Sequence, residues 1–326
     1  MLFVEFLVKR ILQGIVIVGI TSLLIFTLLR VVPGDPVRLI VGGMAPDNVV
    51  EEVAQKMGLR DPIIVQYGRY MAKLLQGDMG QSYLRPKSGM IAAGGEYVDP
   101  TRADMAPVAD LILERVPLTL QLAGVSLLFA LIVSLPIGIA GGLNPHGWQN
   151  RVAFGVQSVF VSIPNFWLAI ILILFLSAKL QLIPALGYKG FAYVILPAIV
   201  LAVEIAPFII RTLTTSLSEV MQSYFIDEAK VRGLSRSRIV FGHALRNASV
   251  PLINLLGIQL STLIGGVLVV EYIFDYPGLG HLTVISVVGR DFPTIQGIAI
   301  TVSAVFVFIN ILVDLIAYMI DPRVEI

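Results

Sequence analysis

Ionisable side chains are scarce along this chain and gather in few places. The densest cluster is residues 227–247, DEAKVRGLSRSRIVFGHALRN, with two acids, a lysine, four arginines and a histidine between two long apolar stretches. Acids precede bases in the part before Gly233, the order that a helix dipole favours. Gly233 permits a left-handed or tight turn. Ser235 is placed to cap a second short helix. Val231, Leu234, Ile239, Val240, Phe241 and Leu245 add apolar anchors, and a polar rim around apolar anchors is the make-up of a docking surface. The plainer reading is a basic loop that only fixes membrane orientation.

A second group lies inside apolar runs. Glu204 stands in LAVEIAPFIIR and Asp314 near the end of another run. A charge at a helix centre costs roughly 2.5–3.5 kcal/mol on insertion scales, so such residues face a bundle interior or a wet path. Two readings of Glu204 stand: it lines a polar route, or it pairs with Arg211 on nearly the same helix face. Asn165, Asn254, Gln259 and Asn310 either hydrogen-bond neighbouring helices or line the same route. Pro136, Pro164, Pro197 and Pro207 bend or break helices, and Pro164 in SIPNFW frees backbone carbonyls beside Asn165.

Enzymatic signatures are missing. The sequence has no G-x-x-x-x-G-K-[ST] phosphate loop and no H-E-x-x-H. His146, His243 and His281 lack metal-ligand spacing, and without cysteine there is neither thiolate site nor disulfide.

The elements that carry these residues are membrane helices. Of 326 residues, 56% are hydrophobic and 14% charged, against about 45–50% and about 25% in soluble domains. A net charge of +1 gives no basic field for nucleic acid. About 20 apolar residues cross a bilayer, and six windows qualify: 11–29, 118–142, 153–178, 193–213, 251–272 and 295–319. Pro117 and Pro251 are read as first helical residues. With a cytoplasmic N-terminus, the inner segments carry Lys9, Arg10, Arg151, Lys230, Arg232, Arg236, Arg238, Arg246 and Arg323. The short outer loops carry Lys179, Lys189 and Arg290, so the positive-inside rule places both termini in the cytoplasm. The long outer loop reads as two short helices. One runs over 47–57 and ends at Gly58. The other is capped by Asp61, starts at Pro62 and stops at Gly77. Residues 85–104 read as loop. The expected domains are an anchor helix over 1–30, an extracytoplasmic loop over 31–116 and a core over 117–326 that includes cytoplasmic helices over 218–250.

The cytoplasmic segment resembles the signature of binding-protein-dependent ABC importer permeases, E-A-A, three residues, Gly, nine residues, I-x-L-P. Asp227 stands at its acid, Glu228 at its first alanine, Ala229 at its second alanine and Gly233 at its glycine. His243 stands at its isoleucine, Leu245 at its leucine and Arg246 at its proline. VVPGDP at 31–36, GDMGQS at 77–82, ERVPLTLQLA at 114–123, EYIFDYPGLG at 271–280 and RDFPTIQG at 290–297 are similar to the dipeptide, oligopeptide and nickel subfamily.

That resemblance implies an all-α membrane protein of the type I importer permease kind, with about six spans. It implies a transport subunit for peptides in a bacterial or archaeal plasma membrane, the inner membrane of a two-membrane cell, and not an enzyme. ATP and magnesium would be bound by one or two cytoplasmic ATPase subunits. A second homologous permease and an extracytoplasmic substrate-binding protein would complete the assembly within membrane lipid. The coupling residues it implies are Asp227, Glu228, Ala229, Arg232, Gly233, Arg236, Arg238, His243, Leu245 and Arg246; Glu204, Asn165, Asn254 and Gln259 are the candidates for the path. Nickel chelates, glutathione or opine-like solutes are alternative cargoes. An ion-coupled carrier using Glu204 and Asp314, or an intramembrane enzyme, are the readings from other classes.

Overall fold

The computed structural model describes residues 2–31, 36–41, 44–86 and 105–320. In chain order the elements are α1 (Leu2–Val31), α2 (Pro36–Val41), α3 (Asp47–Lys56), α4 (Ile63–Leu74), β1 (Gln81–Pro86), β2 (Met105–Pro107), α5 (Val108–Leu113), α6 (Val116–Leu143), α7 (Trp148–Ser162), α8 (Asn165–Leu172), α9 (Ala192–Met221), α10 (Tyr224–Val231), α11 (Leu245–Ile273), α12 (Leu279–Val288) and α13 (Phe292–Ile320). A π-helical turn over Ile173–Lys179 extends α8, and another over Arg238–Ala244 leads into α11.

Among the described residues, four helical stretches are long and apolar enough to cross a bilayer, or six if each of two bent pairs is one crossing. The bent pairs fall on the third and fifth of the six expected windows. Trp148–Ser162 and Asn165–Lys179 meet at 90°, where Pro164 cannot donate to the helix before it. The fifth window begins earlier than expected: Pro251 is inside the helix, not its first residue. The proline removes one bond to the carbonyl of Asn247, and Asn247 is exposed, where water can satisfy that carbonyl.

The chain divides into two compact units. One comprises residues 1–7, 119–277 and 308–326, the other 8–118 and 278–307. In the first, α9 is the packing hub: 67% of its apolar window is buried within the chain, against 33% for the window over α5 and α6. Lipid supplies no hydrophobic force between helices, so close approach and hydrogen bonds hold them. Gly138, Gly141 and Gly142 of α6 accordingly lie against Leu213, Thr214 and Leu217 of α9. Ser134 Oγ donates to the Ala206 carbonyl at 3.2 Å and Thr214 Oγ1 to the Gly138 carbonyl at 3.3 Å.

The second unit holds the short helices. α3 and α4 form as expected and end at Gly58 and Gly77, but the cap differs. Pro62, with ψ of 141°, is the half-helical residue, and the Asp61 carboxylate reaches Arg69 at 2.6 Å. The nearby guanidinium is a stronger partner than a helix amide. A two-stranded ribbon was not expected: β1 pairs antiparallel with β2, Gln81 opposite Pro107 and Pro86 opposite Met105, with an irregularity between. No hairpin signal announces it, because the strands are far apart in sequence. The segment 85–104 lies outside the described residues from 87 onward. A core of Ala106, Val108, Leu111, Ile112, Leu279, Leu282 and Ile298 packs beneath the ribbon.

Candidate functional site

α9 ends at Met221, and after Ser223 the chain turns into α10. The exit from α10 is a Schellman cap. Leu234 N–H reaches the Ala229 carbonyl at 3.1 Å and Gly233 N–H the Lys230 carbonyl at 2.9 Å. Gly233 carries φ of +77°, which costs a residue with a Cβ roughly 1–2 kcal/mol. Apart from its immediate chain neighbours, no atom of the described residues lies within 4 Å of where a Cβ would stand. The backbone therefore favours glycine here, and the space in front of it is open among the described residues.

Beyond Gly233 the chain does not form the expected second short helix. Ser235 is at the cap position, and a helix with a π-helical turn at 238–244 runs on into α11. A helical connection therefore joins the turn to a membrane helix. The hairpin is anchored by its own core: Ile226, Ala229, Ile239, Ala244 and Ala248 are buried with Leu217 of α9, and Ile139 and Leu143 of α6 pack on them.

The sequence-derived residues separate by exposure. Ala229 is in that core and Leu245 packs against it. Asp227, Glu228, Arg232, Gly233, Arg236, Arg238, His243 and Arg246 are exposed. Of the apolar anchors, Ile239 and Val240 are buried, whereas Val231 is 88% and Phe241 70% exposed. Lys230 Nζ bonds Asp227 Oδ1 at 2.8 Å, and Arg232 bonds Glu228. Arg236, Arg238 and Arg246 hold no ion pair among the described residues.

Of the four residues proposed for a polar route, two meet. Asn165 Nδ2 donates to Glu204 Oε2 at 2.7 Å, joining the break before α8 to the middle of α9. An ion pair of Glu204 with Arg211 is not found among the described residues, and Arg211 is exposed. Gln259 is 6% exposed, and its Nε2 has no hydrogen-bond partner among the described residues. Asn254 is exposed. Asn310 Nδ2 donates to Ser261 Oγ at 3.1 Å, tying α13 to α11.

Two buried acids escaped the sequence reading. Glu271 is fully buried and accepts from Thr119 Oγ1 at 2.7 Å. Asp291 is 1% exposed, accepts from Ser82 Oγ, Tyr83 N–H at 3.0 Å and Thr294 Oγ1 at 2.7 Å, and so fastens β1 to the start of α13. Their one sequence signal is an acid set directly against an apolar run, in VVEYIF and in RDFPTI. Among the described residues no group of three or more acids and histidines is arranged to hold a metal.

The helix–glycine–helix element stands between two long apolar helices, α9 and α11, and the sequence that builds it matches a known family. The model described as binding-protein-dependent transport system inner membrane component matches residues 134–326, and its N-terminal companion matches residues 3–123. The chain belongs to this family. It is a permease subunit of an ABC importer, not an enzyme, and such a subunit works with an ATPase and a binding protein. It is 33% identical to the glutathione transport system permease protein GsiC of Escherichia coli strain K12, over 98% of this chain and 99% of that one. The namesake from Salmonella paratyphi A is 32% identical over the same shares. Among solved structures, an inward-facing MetNI methionine ABC transporter gives a TM-score of 0.56 at 22% identity, over 64% of this chain and 96% of the other. That likeness fixes the type I permease fold.

Proposed function

We propose that this subunit forms half of a translocation path for peptide-class solutes and is driven through α10, Gly233 and the start of α11. The observation that carries the reading is the hairpin's surface: Val231 and Phe241 exposed, three arginines without ion pairs among the described residues, and an open turn at Gly233. Exposed apolar anchors in the same segment as unspent cations suit an acidic-rimmed groove, here on a cytoplasmic ATPase subunit that holds ATP and magnesium. Closure of two such ATPases would move the docked hairpin. The helix running from 236 into α11 would carry that motion to the bundle as a rigid body. A second, homologous permease supplies the other half, and a substrate-binding protein delivers cargo from outside. Both termini are then cytoplasmic.

The peptide class rests on the relatives named for glutathione transport, glutathione being a tripeptide. Titrating the cognate binding protein with glutathione, dipeptides and nickel chelates decides among cargoes; tight binding of the chelates alone would discard the peptide reading. Asn165 and Glu204 are assigned to the path because they meet at the break in a bent helix pair, where freed carbonyls add polar surface. Glu204→Ala lowers transport at unchanged abundance if this holds, and lowers abundance if the pair is only structural.

The chain has no cysteine, so single substitutions report cleanly. Val231→Cys and Phe241→Cys, in the assembled active transporter, are expected to cross-link to the ATPase subunit. Failure of both, with cross-links forming elsewhere, removes the docking proposal.

A further inference from the structure

We propose that the cavity at the C-terminal end of α1 binds an oxyanion headgroup of the phosphate type. The cavity encloses about 480 Å³ in the second unit, between the last turns of α1, the α3–α4 turn, α4, β1 and the first turn of α13. Its polar lining is dominated by hydrogen-bond donors.

Arg30 is the central one. Its Nε donates to Gln66 Oε1 at 3.0 Å, and its guanidinium stands 3.6 Å over the Phe26 ring centroid. Gln66 is held in that orientation because its own amide donates to the carbonyls of Leu59 at 3.0 Å and Asp61 at 2.8 Å. Among the described residues, no carboxylate pairs with Arg30. Two other cations on the wall are already matched, Arg60 by Glu51 and Arg69 by Asp61. The one acid in the lining, Asp78, accepts from Gly80 N–H at 2.8 Å.

Two buried neutral donors share the same walls. Gln296, 3% exposed, and Tyr70 both line the cavity, and Gln296 Nε2 and the Tyr70 hydroxyl are buried with no hydrogen-bond partner among the described residues. Buried polar groups are nearly always bonded, and the half-buried Arg30 guanidinium has no counter-charge among the described residues. Burial also pushes the Tyr83 phenol up to about 12, which keeps this further lining group a neutral donor at physiological pH. Lys73 stands exposed in the lining with no ion pair among the described residues. A guanidinium, an amide N–H and a phenol together match a tetrahedral oxyanion, which accepts several hydrogen bonds at once.

The position suggests where the anion comes from. Arg30 is in the last turn of a helix long and apolar enough to span a bilayer, which is headgroup depth. Leu24 and Leu28, below it on α1, are 57% and 58% exposed and would meet acyl chains. An acidic phospholipid is thus the first source of the phosphate, and free inorganic phosphate has the same chemistry.

The test uses the full chain in neutral detergent, titrated by native mass spectrometry with phosphatidylglycerol, with phosphatidylcholine and with inorganic phosphate. The expected result is one saturable phosphatidylglycerol site, tighter than for phosphatidylcholine. Arg30→Gln should weaken it roughly tenfold or more, since a hydrogen bond to a charged group is worth about 1.5–3 kcal/mol. Tyr70→Phe, which keeps the ring and so the fold, should weaken it by a smaller factor and serves if Arg30→Gln does not fold. Saturable binding of inorganic phosphate alone, lost in the same variants, keeps the oxyanion site and removes the lipid. No saturable binding of either, or binding unchanged in both variants, overturns the proposal. The ATPase cross-links are measured separately and do not depend on this result.

Discussion

The α3–α4 pair and the α10–Gly233 hairpin are both short, charged helical elements closed by glycine turns, yet they treat their charges differently. In the first, Arg38 pairs with Asp47, Lys56 with Glu52, Arg60 with Glu51 and Arg69 with Asp61. In the second, Lys230 pairs with Asp227 within α10 and Arg232, just past its end, pairs with Glu228, while Arg236, Arg238 and Arg246 hold no ion pair among the described residues and share the segment with exposed Val231 and Phe241. Charge density alone does not mark a docking surface. Charge that its own fold leaves unspent, next to apolar area, does.

The largest expected effect is at the turn itself. Gly233→Trp should abolish transport while membrane abundance stays near normal, because the indole fills the open space a partner would need. Gly233→Asn is the control, since asparagine tolerates the left-handed region better than other side chains. Substrate-stimulated ATPase activity in reconstituted transporter separates the two. If Asn fails as completely as Trp, backbone strain and not obstruction explains the defect. Normal transport by the Trp variant would reduce the hairpin to a topological loop.

Next in size is the unspent charge. Reversing Arg236, Arg238 and Arg246 to Glu together should weaken ATPase association by roughly tenfold or more if even one of them meets a carboxylate in the dock. The loss should shrink as salt is raised, because screened attraction is lost from both proteins. An association constant unchanged by reversal would mean the arginines face lipid or water.

Much of this was legible in the sequence, and the parts that were not share a cause. Long apolar windows and a helix-breaking proline are signals along one dimension, so the spans and the break at Pro164 could be read directly. Pro251 misled because proline favours the first helical position, whereas here it is accommodated inside the helix beside an exposed carbonyl that water can satisfy. The signature around Gly233 revealed the turn but not that Ala229 and Leu245 face inward, which only packing against α6 and α9 decides. Asn165 and Glu204 could each be singled out as costly polar residues, but not their hydrogen bond. Asp291 was invisible as a site because its partner Ser82 is 209 residues away.

The smallest effect is expected where the comparison predicts self-sufficiency. Hydrogen bonds from Arg60 and Lys56 hold the Glu51 and Glu52 carboxyls below the ordinary carboxylate range. A folded value below the unfolded one means that the unfolded chain binds protons more readily. The contribution of these pairs is therefore present above the unfolded value and is lost as pH falls through the folded one. Both acids lie at the surface, with side chains 47% and 65% exposed, so water and salt screen the pairs and the contribution is slight. Glu51→Gln with Glu52→Gln should leave transport and the neutral-pH melting temperature unchanged and make the acid limb of the melting profile marginally flatter. A clear loss of transport at neutral pH would place this surface, like the hairpin, against a partner, and the contrast between the two elements would fail.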